Sequence, residues 1–410
     1  MAKTIKGQVV TGLDIGTTKI CAIIAESTAN SVDIIGIGSH PSKGLHKGVV
    51  VNIESTVQSI RKAIDEAEKM AGVKVHSVFT GVAGGHIKGF NSRGLVPISS
   101  KDKEVRQEDI DRVLEAARAV AIPLDREVLH IIPQEYFIDD QDGIKEPLGM
   151  SGVRLEAQVH IVTGAVTSVQ NIIKSVNKSD LDVEDIILEQ LASSEATLTP
   201  DEVELGTLLI DIGGGTTDIA IFVNGSICHT AVIALGGSHF TRDISVGLRT
   251  PLAHAERIKQ TYGCALAEML TSDEKIEVPS VGGRSPRFLS RKVLCEIIEP
   301  RAQEIFELVN QEINSAGYKR MLGAGAVITG GAVIMEGMPE IAEQILDLPA
   351  RRGLPAGVGG LVDVINSPIY ATGVGLILYG LRHSRETVWF KRSSGKNVFN
   401  RILGRMKDWF

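Results

Sequence analysis

Aromatic side chains are scarce in this chain, at 4% of 410 residues, and cysteine is scarcer, with four. Cys21, Cys228, Cys264 and Cys295 are scattered, with no pair at the spacing of a metal site or a redox motif, so a reducing cytoplasmic compartment is expected. No apolar run approaches the ~20 residues a helix needs to cross a bilayer. The opening MAKTIKGQVVTGLDIG has no apolar stretch long enough for a signal peptide before Asp14 interrupts it. Neither G-x-x-x-x-G-K-[ST] nor a G-x-G-x-x-G opening a βαβ unit occurs, which excludes a Walker-type NTPase and a Rossmann dinucleotide site. Positive charge is short in the body of the chain. Net charge is −7, yet from Leu381 onward eight Lys or Arg stand against Glu386 and Asp408. That end carries +6 and leaves −13 on the rest, so nucleic acid is not an expected partner of the body. The basic end is a separate electrostatic object.

What is present begins with a duplication. VTGLDIGTTKICAII, from Val10, and LLIDIGGGTTDIAIF, from Leu208, each read as an apolar strand, Asp-Ile-Gly, a Gly/Thr turn and a second apolar strand. Asp14 and Asp211 stand 197 residues apart, which predicts two related domains of roughly 200 residues. Ile53, Val57, Ile60, Ile64 and Ala67 mark an amphipathic helix stopped at Gly72, with a strand in residues 75–84 behind it. Ile110, Val113, Leu114, Ala117 and Val120 mark another helix, followed by strands in 127–139 and 155–165. The stretch from about Gly84 to Val162 reads as an inserted small subdomain. Residues 278–291 read as a Gly-, Pro- and Ser-rich loop, with helix before and after Pro300. Residues 326–337 read as a buried strand turning on Gly330-Gly331 into a helix. Helices mixed through strand-rich halves point to an α/β architecture.

A tight Gly/Thr turn presents backbone N–H groups and hydroxyls in one concave arc, which suits phosphate oxygens. Gly16, Thr17 and Thr18 offer one arc; Gly213, Gly214, Gly215, Thr216 and Thr217 offer a second, where glycine lets the backbone approach closely. Two arcs from related domains can grip a polyphosphate from both sides. Lys19 can add a cationic contact, and Asp14 and Asp211, at the strand ends, can hold Mg²⁺ through its waters. Gly330 and Gly331 would let a base or ribose lie against the chain. One such turn alone is often only a hairpin; two copies at domain spacing, with the Gly-Gly turn in order behind them, argue for a site.

GLDIGTTK, LLIDIGGGTTDIAIF, AERIKQTYGCA and VITGGAVIMEG resemble the phosphate-1, phosphate-2, nucleoside and adenosine motifs of the actin-like ATPase superfamily. Their order, with SVGGRSPRFLSRKVLCEIIEPRAQEIFELV, INSPIYATGVGLILYG and the amphipathic terminus, resembles the FtsA family of bacterial cell-division proteins over essentially the whole chain. The resemblance implies an α/β, actin-like two-domain fold with an ATP cleft, an inserted 1C subdomain and a C-terminal amphipathic helix. It divides the chain into subdomain 1A (1–83, 163–205 and a return at 365–381), 1C (84–162), 2A (206–245 and 323–364) and 2B (246–322). A flexible basic linker (382–396) and a membrane-targeting helix (397–410) follow.

Further expectations come with that resemblance: ATP and Mg²⁺ in the cleft, head-to-tail polymerisation through 1C, and the FtsZ C-terminal peptide on 2B. Recruitment of other division proteins and anchoring of the FtsZ ring at the cytoplasmic face of the membrane complete them. Arg287, Arg291 and Arg301 suit an acidic partner peptide, although a solvated basic helix face is the plainer reading of each. Glu256 and Lys259 match the superfamily's E-x-x-K helix that reaches ribose and adenine, and at i, i+3 they can equally be a surface ion pair. Gln190 falls where the superfamily orients the attacking water; a Gln is no strong general base, so any ATP turnover should be slow. His160, on an apolar strand, reads as a satisfied structural histidine.

The last fourteen residues fit the anchor. On a helix Val398, Phe399, Ile402, Leu403, Met406, Trp409 and Phe410 share one face, and Arg401, Arg405 and Lys407 lie on the other. At ~1.5 Å per residue the segment is about 21 Å long, too short to span a ~30 Å hydrocarbon core. It has the makings of an in-plane helix on anionic lipid. Two alternatives stay open: a small-molecule kinase of the same superfamily, and a pilus-assembly type of actin-like adaptor without its own membrane helix.

Overall fold

The computed structural model describes residues 7–29, 31–271 and 274–391. The apolar runs either side of Asp14 are buried on both faces, because helices cover both sides of the sheet they enter. Strand Gln8–Ile15 pairs antiparallel with Lys19–Ser27, and that strand with Val32–Pro41. Ser77–Val82 and then Asp182–Leu188 add in parallel on the other side of Gln8–Ile15, and the short Gly359–Gly360 closes the far edge. The second half repeats this plan. Thr207–Ile212, Thr217–Val223 and Ser226–Ile233 form the antiparallel meander, and Ala326–Thr329 and Ala350–Arg352 add in parallel beside Thr207–Ile212. Asp14 and Asp211 therefore reach equivalent strand ends, opposite Cys21 and Asp218 respectively.

Helix Ile53–Ala71 covers one face of the first sheet with Ile60, Ala63 and Ile64 against Ile20, Ala22 and Ile24. Asn52 caps its start and Gly72, in the left-handed conformation, ends it. On the other face Val374, Ile377 and Leu381 of helix Ala371–Lys391 pack on Val10, Cys21, Ile23 and Ala25. In the second half helices Gly237–Gly247, Arg291–Ser315 and Met338–Leu346 enclose a core that includes Ile210, Ile219, Phe240 and Phe306.

Between Ser77–Val82 and Asp182–Leu188 lies a four-stranded antiparallel sheet in the order Lys88–Pro97, Arg154–Ala165, Arg126–Ile138, Gln141–Ile144. Helix Gln107–Arg118 packs on it, and Val96, Val113, Ala117, Leu155 and Val159 make a core separate from those of the two halves.

Four local expectations need correction. Val120 lies beyond the helix, which stops at Arg118 ahead of the Pro123 that disfavours helical backbone before it. Residues 278–291 are a loop only in part, since Arg287–Ser290 is a strand paired with Lys275–Val278, and the following helix runs through Pro300 unbroken. After Gly330 comes a single 3₁₀ turn, Gly331–Ile334; the α-helix waits until Met338, after Gly337 at φ 80°. Residues 382–391 are helical rather than a flexible tether, because no Gly or Pro interrupts the last helix before Gly395. Among the described residues no helix is long and apolar enough to cross a membrane. The expected membrane face, Val398 through Phe410, and residues 392–396 lie outside the described residues.

Candidate functional site

The two Gly/Thr turns are built alike. Each is closed by one backbone bond, Gly16 N–H to the Lys19 carbonyl and Gly213 N–H to the Thr216 carbonyl, both 3.0 Å. They also touch. A Cβ on Gly214 would fall 2.4 Å from Thr18 Oγ1, and one on Gly215 would fall 2.6 Å from Thr17 Oγ1, so glycine is required by the approach. Gly237 and Ser238, opening the next helix, donate their N–H groups to the carbonyls of Gly213 and Gly214 at 2.8 Å. The hydroxyls divide the work. Thr216 donates to Asp218 (2.8 Å) and Thr217 to the Leu235 carbonyl (3.0 Å), so both side chains hold the turn together. Thr17 Oγ1 accepts from Gly48 N–H at 3.0 Å.

Beneath the turns four carboxylates converge. Asp211 Oδ2 accepts from Ser193 (2.7 Å) and Thr372 (3.2 Å), hydroxyls on two helices that pack on the first half. Gly330, at φ 90°, is where this close approach shows, since a Cβ there would lie 2.3 Å from Asp211 Oδ1; Gly331 starts the 3₁₀ turn. Burial raises the pKa of Asp14, against the pull of Lys19, and that of Asp211. Asp218 is pushed up to about 7 by burial and then by Asp211. Glu189, half-buried, is raised well above the carboxylate range by burial and then by Asp14, Asp218 and Asp211. Its neighbour Gln190 is fully buried, gives its amide N–H to Asp218 Oδ1 at 3.2 Å, and leaves its Oε1 with no protein partner among the described residues.

Sequence reasoning singled out Gln190 and passed over Glu189 and Asp218. Both were within reach, one being the adjacent residue and the other closing the DIGGGTTD run opposite Asp211. This donor set fits a polyphosphate with a divalent cation. The turns supply a glycine-lined cradle, an orphaned buried oxygen faces a missing donor, and the carboxylates are held where ionisation needs a counter-charge.

Other expected residues are more committed than the sequence suggested. Lys19 donates to the Ile369 carbonyl, lies 3.7 Å from Asp14 Oδ2 and stands 5.1 Å over the Tyr370 ring. Glu256 and Lys259 pair at 2.8 Å, and Lys259 also donates to the Gly237 carbonyl (3.0 Å) and Thr241 (2.9 Å), tying this helix to Gly237–Gly247, whose first residues bond to the second turn. Arg287 donates to the Leu248 carbonyl. Arg291 is held by Glu336 (2.7 Å) and the Tyr262 carbonyl (2.9 Å), and Arg301 forks onto Asp243 at 2.6 and 3.2 Å and also meets Glu304. Three free cations on one face are therefore not what the fold presents. His160 is satisfied on both ring nitrogens, by Asn91 Oδ1 (2.7 Å) and Thr230 Oγ1 (2.9 Å), and burial lowers its pKa to about 4.

A family model described as Cell division protein FtsA matches residues 208–375, and one described as SHS2 domain inserted in FTSA matches residues 84–163. The Cell division protein FtsA of Pseudomonas aeruginosa is 54% identical over 414 residues, covering 100% of this chain and 99% of that protein. Among solved structures, the PilM–PilN type IV pilus biogenesis complex is similar at a TM-score of 0.66 and 17% identity, over 91% of this chain and 98% of that one. MreB5 of Spiroplasma citri bound to ADP is similar at a TM-score of 0.57 and 14% identity, over 93% and 98%. These structural likenesses show a shared mixed α/β, actin-like fold.

Proposed function

The chain belongs to the FtsA family of cell-division proteins, and from that premise we propose that it binds ATP with Mg²⁺ between its two halves and acts as a polymerising membrane adaptor. The observation that carries the nucleotide reading is the contact of Thr17 and Thr18 with Gly214 and Gly215, which makes one phosphate cradle from two domains. Asp14 and Asp211 would hold the cation through its waters, and Glu256, Lys259, Gly330 and Gly331 would border the nucleoside. Glu189, the raised carboxylate beside Gln190, is better suited than an amide to take a proton from water, while Gln190 holds Asp218. Nucleotide mainly sets the state of the polymer.

The remaining assignments follow the same reading. The inserted domain, residues 84–162, contacts the next subunit. The FtsZ C-terminal peptide lies on the 246–322 region, where Arg287 stands near exposed Phe288, and other division proteins join the assembly. Residues 397–410 lie in the plane of the cytoplasmic membrane face at the division site. The test is co-sedimentation with anionic vesicles in Mg-ATP, comparing the full chain with one ending at Lys396 and adding the FtsZ peptide. Full-length protein carrying peptide into the pellet, with the shortened chain left in the supernatant, is the expected result. Both forms remaining soluble would overturn the anchor.

A further inference from the structure

Residues 45–50 form a small hairpin, His46 pairing with Val49 across a two-residue tip of Lys47 (φ 48°) and Gly48 (φ 77°). Such a tip favours Asn or Gly at its first position, and here it carries a lysine. The tip is wedged into the cleft. A Cβ on Gly215 would meet Lys47 Cα at 3.1 Å, and Gly48 donates to Thr17, so the hairpin touches both phosphate turns at once. Its other side meets the first residues of the inserted domain. A Cβ on Gly48 would fall 2.9 Å from Gly84 Cα, and one on Gly84 would fall 3.1 Å from both the Lys47 carbonyl and His86 Nδ1.

Charge singles out the same residue. Three lysines border the turns, and two are spent. Lys19 serves Asp14 and the Ile369 carbonyl; Lys259 serves Glu256, Thr241 and the Gly237 carbonyl. Lys47 has no carboxylate partner among the described residues, and its charge is felt at His239, on the helix that opens over the second turn, where burial first and then Lys47 lower the imidazole pKa. A cleft lined by Asp14, Glu189, Asp211 and Asp218 needs an uncommitted cation before it can take the terminal phosphate of a triphosphate.

We propose that Lys47 is the ligand of the terminal phosphate, so that the 45–50 hairpin discriminates nucleoside triphosphate from diphosphate and passes the difference to Gly84, the entrance of the inserted domain. This rests on the nucleotide-binding reading above. The ammonium reads the extra charge, and the tip, in contact with Gly84 and near His86, moves with it.

The test uses the full chain with fluorescent ADP and ATP analogues in Mg²⁺. Lys47→Met should weaken the triphosphate about tenfold or more while leaving the diphosphate within about twofold, the loss expected for one charged hydrogen bond. Lys47→Arg should keep most of the preference. Lys47→Gly, which the positive φ suits, should lose it as Met does and so guards against a folding defect. In amide exchange, triphosphate should alter residues 83–90 of the wild type and not of Lys47→Met. Equal loss for both nucleotides, or none, overturns the role of Lys47. A wild type that binds neither nucleotide overturns the underlying reading as well, and that result is separable because it precedes any substitution.

Discussion

The side chain of Thr18 fills the space that a side chain on Gly214 would need, its Cγ2 and Oγ1 both 2.4 Å from an ideal Cβ at that position. The two residues belong to different halves, so the contact is a lock between domains and not a feature of either hairpin. Gly214→Val should force the turns apart. Stability should fall by about 1–3 kcal/mol, as for overpacking elsewhere, and binding of a fluorescent ATP analogue should be lost. Thr18→Ala in the same chain should recover part of both; a double-mutant cycle in urea denaturation and nucleotide titration gives the coupling. Strictly additive losses would mean that the two turns do not constrain each other.

The duplicated Asp-Ile-Gly hairpins were legible in the sequence because their signal is local: apolar runs of strand length on either side of a glycine turn. The paired sheets, the first helix with its Gly72 cap and the strands of the insert could be read for the same reason. What escaped was long-range. The hairpin register alone sets Asp218 across from Asp211, but nothing near it announces Glu189, and nothing near Arg301 announces Asp243, because those approaches are made by packing between elements distant in the chain. The 45–50 hairpin was passed over because SKGLHKGVVVN reads as an ordinary polar loop until the fold sets its tip between the turns.

Asp218 gives a pH signature. Burial and the neighbouring Asp211 lift its folded pKa to about 7, above the ordinary carboxylate range, so the folded protein keeps a proton that the unfolded chain has already released. Stability without nucleotide should therefore fall as pH rises from about 4 to about 7, and level off above. Asp218→Asn should match wild type near the acid end and exceed it at pH 8 by about 4 kcal/mol. Urea denaturation at pH 5 and pH 8 checks this. Parallel wild-type and variant values would show that Asp218 does not carry the slope.

A polar seam joins the insert to the second half. Asn91 donates to the Cys228 carbonyl (3.1 Å) while its own oxygen accepts from Gln134 (3.2 Å) and faces His160, which in turn reaches Thr230. Asn91 is itself exposed, and Gln134 keeps its bond to the Ile227 carbonyl, so Asn91→Leu chiefly strips buried His160 of its Nδ1 partner and should cost about 1–2 kcal/mol. Amide exchange should rise first at residues 88–93 and 227–230, ahead of either core. His160, held near pKa 4, stays neutral above pH 5, so the loss should not vary between pH 6 and 8. A pH-dependent loss would assign the seam to a charged His160.

The three arginines proposed to meet the FtsZ peptide should not behave alike. Arg301 is forked on Asp243, Arg291 is held by Glu336 and the Tyr262 carbonyl, and their side chains are only 24% and 20% exposed. Removing Arg301 leaves Asp243 half-buried without its partner, so Arg301→Ala should lower stability by about 1–2 kcal/mol, whatever it does to binding. Arg287 is exposed and spends one N–H on the Leu248 carbonyl, leaving the rest of its guanidinium for a carboxylate. Arg287→Ala should therefore weaken the acidic peptide about fivefold to tenfold with little change in melting temperature. Titration of labelled peptide beside thermal unfolding of each variant separates the two effects. Should Arg301→Ala reduce peptide affinity at unchanged stability, its pairing with Asp243 is exchanged for the peptide on binding, and the partner is competing for an ion pair the fold already makes.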